Sequence, residues 1–425
     1  MKKILFLFGS YYPNISANGI CCDNLMKEMQ KKGYDVSCIV YQSSNTDEEE
    51  IINGVKVIRI PKPLIERFLD WYKGKKYPNR LPIDIFNLLF KLRQLVSFPF
   101  WPISTYKYIR GFYKAAKKIL MNGSDYIVIA VNAPFDAIIA GCRIKKKFPN
   151  IIFIQYYLDA FSGCWASRHI KDTWKLRKGL SWEKKVFKVA DNIIIMKSSE
   201  NHYAKYFSKE LDMKKIIVLD IPLFRTLNVK ENDNSYVNNV NKSKIVISFI
   251  GSLERGVRNP MYFLEVYKRL PPMNCILYLI GNNQYLEDIK LEDFLNNQIS
   301  LINYVPHDVA LTIMRDSNIL LNIGNDIPNM VPSKIFEYMS TGKPIITTCS
   351  FKTEPSLYYL KKYDLTLVLN EDDDYTTSAC KLQKFIMENN DKKVNSIKLV
   401  KTFYNNTSEA FLENLMHIMN KNASG

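Results

Sequence analysis

Lys3-Ile-Leu-Phe-Leu-Phe-Gly9-Ser10 and Lys244-Ile-Val-Ile-Ser-Phe-Ile-Gly251-Ser252 decide the fold. Each is an apolar run without alternation that halts at Gly-Ser, the pattern of a strand buried on both faces of a parallel sheet. The chain has 425 residues and is 47% hydrophobic, too long for one compact core and too apolar for disorder. The repeated opening therefore predicts two α/β domains of roughly 200 residues, each begun by one of these runs.

Outward from the first run, a loop holding Asn18-Gly19 leads into a helical stretch with Ile20, Leu25 and Met29 near one face. Lys31-Lys32-Gly33 stops that helix and Val36–Val40 reads as the next strand, which completes one βαβ unit. Strands are expected to continue at Val55–Ile60, Tyr126–Val131, Ile151–Tyr157 and Asn192–Met196. The second half alternates in the same way: Ile245–Ile250, a helix around Met261–Leu270, Cys275–Ile280 ending at Gly281, Ile299–Asn303, a helix around Asp308–Arg315, and Ile319–Ile323. The polar run Glu231-Asn-Asp-Asn-Ser235 marks the join, so the domains are expected at 1–222 and 223–404. A last helix over 405–425, with Phe411, Leu412, Leu415, Ile418 and Met419 on one side, is expected to cross back onto the first domain. Doubly wound sheets bind ligands at the carboxyl ends of their strands, so two such sheets facing a central cleft are the expected architecture.

Composition excludes several classes. The eight cysteines include no C-x-x-C pair and mostly sit in apolar runs, which argues for reduced core thiols in a cytosol rather than zinc or disulfides. Met1-Lys2-Lys3 and the apolar run after it mimic a secretion signal, but the run is short and Gly9-Ser-Tyr-Tyr-Pro13 follows instead of a cleavage site. No stretch approaches the roughly 18 apolar residues of a membrane span. The formal net charge of +17 is concentrated between Lys62 and Lys118, where thirteen Lys/Arg face only Glu66, Asp70 and Asp84 among many aromatic residues. Such a segment suits an anionic membrane surface, nucleic acid, or solvated basic faces over an aromatic core. The expected location is cytoplasmic, with peripheral attachment to the inner face of the cell membrane as the extension of the first of these.

The chemistry concentrates in Asn322-Ile-Gly-Asn-Asp-Ile-Pro-Asn329-Met-Val-Pro332-Ser333-Lys334-Ile-Phe-Glu337-Tyr-Met-Ser-Thr-Gly342-Lys-Pro344. Ser333 reads as an N-cap, Lys334 to Thr341 as a short helix, Gly342 as its stop and Pro344 as the start of another strand. A helix N-terminus beside a lysine suits a phosphate, and Glu337, one turn in, suits the hydroxyls of a ribose. The block Pro332-Ser-Lys-x-x-Glu-Tyr-Met-x-x-Gly-Lys-Pro344 resembles that of the retaining GT-B glycosyltransferases of family 4, and the resemblance spans nearly the whole chain. It implies the α/β GT-B fold, a nucleoside diphosphate sugar as donor, a saccharide or lipid-linked saccharide as acceptor, retention at the anomeric carbon, and no metal or other cofactor.

The resemblance also distributes roles. Glu337 takes the place of the second glutamate of an E-x7-E motif, which holds the donor ribose, and the first falls on Asn329. Gly251-Ser-Leu-Glu-Arg-Gly-Val-Arg258 matches a loop carrying a basic pair for the diphosphate; Arg258 fits the distal position, while Ser252 stands at the proximal one and leaves Arg255 as a substitute. Gly281 and the segment Tyr304-Val305-Pro306 resemble strand ends that meet the nucleotide and its base. Asn18-Gly19 matches the glycine loop at the diphosphate and acceptor, and Asp159 matches the aspartate of a strand end near the reacting sugar. Arg258, Lys334 and Asp159 are thus the expected catalytic residues; Ser333, Glu337, Gly281, Tyr304, Val305, Asn18, Gly19 and Asn329 are the expected donor-site residues. No catalytic base can be named, and His169, His202, His307 and His417 show no ligand spacing. Asp372-Asp-Asp374 contains D-x-D but reads as a solvated loop.

Rival classes fit less of the sequence. A nucleotide-sugar epimerase shares the expected architecture. A dehydrogenase lacks G-x-G-x-x-G after either first strand, and a P-loop lacks the Lys-Ser/Thr after Gly256. A basic nucleic-acid-binding protein leaves the Pro332–Pro344 block unexplained, so no nucleic-acid partner is expected.

Overall fold

The computed structural model describes residues 3–43, 46–63, 67, 100–121, 123, 125–163, 171–225, 244–285, 287–289 and 298–423. The chain divides into two compact units, Met1–Pro222 with Ser408–Gly425, and Leu223–Thr407.

In the first unit, eight strands form one sheet: β1 (Lys3–Leu7), β2 (Asp35–Tyr41), β3 (Glu49–Ile52), β4 (Val55–Ile60), β5 (Tyr126–Val131), β6 (Ile152–Tyr157), β7 (Asn192–Met196) and β8 (Ile216–Leu219), in the order β3-β4-β2-β1-β5-β6-β7-β8. β1 sits centrally, with Leu5 paired to Ser37 on one side and Val128 on the other. Ile4, Leu5, Phe6 and Leu7 are all fully buried, as an unalternated run requires when helices cover both faces. Every pairing is parallel except β3 with β4. That hairpin turns at Asn53-Gly54, both at positive φ (51° and 81°), where Asn and Gly bear the conformation at least cost. β3 does not read as a strand in the sequence because Ile51 points to solvent and Glu49 is exposed.

Among the described residues four longer helices cover this sheet: α1 (Ala17–Lys31), α2 (Tyr106–Leu120), α3 (Phe135–Lys147) and α4 (Asp172–Phe187), followed by α5 (Glu200–Tyr206) and α6 (Ser208–Asp212). α1 is capped by the Ser16 hydroxyl, which accepts from the Gly19 amide at 3.2 Å, and the chain leaves it through Gly33 at φ 83°. α2 buries Tyr108, Ile109, Phe112, Ala116 and Leu120 while Lys107, Arg110, Lys114 and Lys118 face outward. α2 thus sets exposed basic residues over buried aromatic ones, an arrangement that suits solvent and an anionic surface alike; the stretch 68–99 lies outside the described residues.

The second unit holds six strands, β9 (Ile245–Ile250), β10 (Cys275–Ile280), β11 (Gln298–Ile302), β12 (Ile319–Asn322), β13 (Ile345–Cys349) and β14 (Thr366–Asn370), all parallel in the order β11-β10-β9-β12-β13-β14. Its helices are α7 (Met261–Lys268), α8 (His307–Asp316), α9 (Lys334–Ser340), α10 (Ser356–Leu360), α11 (Tyr375–Asn389) and α12 (Ser396–Thr402). Ile247, Leu277, Leu279, Ile319 and Leu321 on the sheet pack with Phe263, Tyr267, Leu382 and Ile386 from the helices. Asp374 caps α11 by accepting from the Thr377 amide at 2.9 Å, and Asp373 pairs with Lys381, so the Asp372–Asp374 run ends in a cap and a surface ion pair.

The last helix, α13, runs from Ser408 to Ala423, beginning three residues later than the 405 expected. It belongs to the first unit, packs on α1, and sets the Phe411 ring 5.3 Å from that of Tyr156. Six of the described cysteines are buried and free, but Cys380 is exposed on α11, which departs from a uniformly buried set. Among the described residues no helix is long and apolar enough to cross a membrane.

Candidate functional site

The carboxyl ends of the second unit's strands gather most of the residues singled out from the sequence. Gly251 ends β9 and Gly281 ends β10; Gly281 lies at φ 126°, and a Cβ there would fall 2.1 Å from the Gly251 carbonyl oxygen. Only glycine allows these two backbones to touch, which leaves an open ledge of main chain beside the loop Ser252–Arg258. Arg258 is fixed from both sides: its Nε donates to Asn325 Oδ1 at 2.7 Å and its Nη1 to the Ser252 carbonyl at 3.3 Å. Burial holds its pKa below the ordinary guanidinium value, with Tyr338, Glu254 and Glu354 acting in the opposite sense. Asn325 itself is fully buried and donates from Nδ2 to the Met330 carbonyl at 3.3 Å, tying Arg258 to the turn in which Asn329 adopts φ 66°.

α9 is anchored beneath the same strand ends. The Tyr338 hydroxyl accepts from the Ile250 amide at 2.9 Å and donates to the Ile250 carbonyl at 3.3 Å, so the helix cannot shift without losing both bonds. Lys334 and Glu337 lie on its more open side and pair with each other at 2.7 Å. A partly exposed pair of this kind is worth about 1 kcal/mol or less, so a phosphate or a diol can displace it. His307 at the start of α8 stands within electrostatic reach of Glu337 and Lys334; burial lowers its pKa and Glu337 opposes the shift. Tyr304 is 80% exposed and Val305 half-buried beside it, at the end of β11.

One expectation for this loop cluster is corrected. Ser333 stands at the N-cap position, but its backbone is already helical (φ −59°, ψ −29°) and its hydroxyl makes no capping bond. Arg255, the substitute at the proximal basic position, has its guanidinium paired with Asp288 and stacked over the Tyr285 ring 4.9 Å away.

Glu354 was missed in the sequence. It stands after β13 and is 2% exposed; its Oε1 accepts from the Ser356 hydroxyl and burial pushes its carboxyl up to about 7. Oε2 would lie 2.9 Å from a Cβ at Gly324, so Gly324 is the only residue that fits beside it. A lone Glu in a Thr-Glu-Pro turn carries no sequence signal for burial.

The first unit has its own loop cluster at the ends of β1, β5 and β6. Gly9 admits no side chain because a Cβ would meet the Ala133 carbonyl at 2.9 Å, and Gly19 admits none because it would meet the Ser10 carbonyl at 2.4 Å. These contacts bring Ser10, Asn18 in the first turn of α1, and Asn132 to one edge. Asp159 follows β6 nearby, facing Cys21 of α1; burial raises its carboxyl to about 6. Among the described residues its carboxylate has no hydrogen bond or ion pair. Behind it lies a buried polar group: Glu183 on α4 accepts from the Tyr203 hydroxyl at 2.8 Å and the Ser162 amide at 3.4 Å, and the Ser162 hydroxyl bonds His202 Nε2 at 2.8 Å. Burial lowers His202 to about 4 and raises Glu183 to about 7. His202 is therefore a buried structural histidine, and His169 lies outside the described residues. Among the described residues no group of three or more His, Cys, Asp or Glu is placed to hold a metal ion.

No family model matches the sequence, and no curated protein matches it by sequence. Solved structures do match over the whole chain. Sucrose-phosphate synthase from Thermosynechococcus elongatus superposes with a TM-score of 0.68 at 12% identity, covering 100% of both chains. An E. coli trehalose-6-phosphate protein bound with UDP-2-fluoro glucose gives 0.64 at 10% identity over 98% of each chain. Anabaena HepE in complex with UDP and glucose gives 0.56 at 13% identity, over 100% of this chain and 99% of that one. At such identities the likeness establishes the fold, and the fold is GT-B: α/β, with two Rossmann-like units built on mostly parallel sheets.

Proposed function

We propose that the chain is a glycosyltransferase that moves a hexose from a nucleoside diphosphate sugar to a saccharide or lipid-linked saccharide, with retention and without a metal. What supports this reading is that Arg258 is bonded to the Ser252 carbonyl next to Gly251, and that Lys334 and Glu337 stand on the helix whose Tyr338 is bonded to Ile250, all in the second unit. Two cations and a bare stretch of main chain suit a diphosphate, and a carboxylate one helical turn away suits a ribose. Structural neighbours solved with UDP-2-fluoro glucose and with UDP and glucose support a uridine nucleotide as the first donor to try.

In this reading the anomeric carbon–oxygen bond breaks toward the diphosphate while the acceptor hydroxyl attacks from the same face. Its proton passes to the departing phosphate oxygen. Arg258 and Lys334 stabilise the charge that grows on the phosphates, and loss of one such contact costs about 10²–10³ in turnover. Asp159 faces the reacting sugar. Asn18 and Gly19, Tyr304 and Val305, and Asn329 complete the donor and acceptor contacts. An anionic lipid surface at the inner membrane face is the proposed setting, and assembly of capsule, O-antigen or exopolysaccharide the proposed pathway.

The test is incubation with UDP-, GDP- and ADP-sugars, following nucleoside diphosphate release by mass spectrometry beside Glu337→Ala. Release from one donor class, lost in the variant and unchanged by EDTA, supports the proposal. Silence with every donor, with no thermal stabilisation by any nucleotide, refutes it, and an inverted product anomer refutes retention.

A further inference from the structure

Asp159 is half-buried, carries no bond of its own among the described residues, and lies in a tight loop over 158–163. Its aim is therefore set by backbone held elsewhere. That backbone is fixed at residues 160–163 from three directions. The Gly163 amide closes a turn on the Ala160 carbonyl at 3.1 Å. The Phe161 ring stacks between Phe135 (centroids 4.1 Å apart) and Trp101 (5.2 Å). Ser162 is bonded twice, through its amide to Glu183 Oε1 and through its hydroxyl to His202 Nε2.

Two glycines show how closely the parts are seated. A Cβ at Gly163 would meet His202 Nδ1 at 2.9 Å, and one at Gly179 on α4 would meet the Ser162 Cβ at 2.8 Å. The arrangement is not a hydrolytic triad. Ser162 is 3% exposed, and Glu183 bonds the Ser162 amide and Tyr203 instead of the His202 ring, so no nucleophile reaches solvent and no carboxylate orients the imidazole.

We propose that Ser162, His202 and Glu183 are positioning residues: α4 and α5 clamp the loop after β6 through them and so fix the direction of the Asp159 carboxylate. The inference rests on the proposed sugar transfer, in which Asp159 meets the reacting sugar. A carboxylate displaced by about 1 Å from a reacting centre loses on the order of 10²-fold in turnover, although the donor still binds in the other unit.

The experiment compares Ser162→Ala, His202→Phe and His202→Gln by amide hydrogen exchange and by kinetics on the full chain. Ser162→Ala and His202→Phe are expected to speed exchange of residues 158–163 by about tenfold with β6 and β7 unchanged, a local opening rather than global unfolding. They are also expected to lower kcat by about tenfold or more with the donor KM unaltered, while His202→Gln, which keeps a bonding group at the Ser162 hydroxyl, recovers most of both. Unchanged exchange in 158–163, or exchange that rises equally throughout the first unit, overturns the clamp. A kcat that holds while the loop opens overturns its bearing on Asp159. If the parent protein transfers no sugar, the proposed reaction falls, and the exchange measurement still decides the clamp.

Discussion

Glu183→Gln should stabilise the first unit at alkaline pH and leave it unchanged in acid. Glu183 is fully buried; its Oε1 accepts from Tyr203 and Ser162, while Oε2 has no partner. Burial raises its carboxyl from the ordinary 4.5 to about 7. The group is thus protonated in the native state and ionised in the unfolded one between those values. Stability is fully present below 4.5, falls as pH rises, and has lost its whole contribution above 7. At 1.36 kcal/mol per unit, the loss is roughly 3 kcal/mol at pH 8. Glutamine keeps the Oε1 acceptor and the volume and never ionises. Calorimetry should therefore show the variant melting about 6–12 °C higher at pH 8, since a domain of this size moves about 2–4 °C per kcal/mol, and within a degree or two of the parent at pH 4.5. An equal shift at both pH values, or none at pH 8, would refute the assignment of a neutral buried carboxyl.

Gly281→Ala places a Cβ 2.1 Å from the Gly251 carbonyl at a φ reserved for glycine; it should cost about 3 kcal/mol or more in denaturant unfolding and abolish nucleotide binding by calorimetric titration. Tyr338→Phe removes both bonds to Ile250 and should cost about 1–3 kcal/mol, read as a lower denaturation midpoint with unchanged m. Asn325→Ala removes one of the two bonds that hold the Arg258 guanidinium without touching its charge, and should lower kcat by about tenfold, while adding little on top of Arg258→Ala in the double variant. Arg255→Ala removes an exposed pair with Asp288 and a stack on the Tyr285 ring, and should leave donor release within about twofold of the parent.

The strand pattern was legible because both sheets are mostly parallel and covered on each face, so nearly every strand is a continuous apolar run with a glycine or polar stop. Val55–Ile60, Tyr126–Val131, Asn192–Met196, Ile245–Ile250 and Cys275–Ile280 fall on the residues expected of them. β3 escaped notice because an edge strand with one solvated face has no such run, although Asn53-Gly54 advertised its hairpin. Lys334 and Glu337 were singled out as the first turn of a short helix in the Pro332–Pro344 block, and Arg258 by the resemblance of its loop to a family motif.

What pairs with what was a matter for the tertiary structure. Arg258 and Asn325 lie 67 positions apart and Ile250 and Tyr338 lie 88 apart, and only the β9–β12 pairing of the sheet makes them neighbours. The same holds for Ser162, Glu183 and His202, three ordinary residues in sequence whose chemistry comes from a shared dry interior. Sequence periodicity determined which segments are strands and helices, because burial of apolar side chains follows local spacing. Only the folded chain decided how polar groups are desolvated and matched, because burial of a charge depends on every element that closes over it.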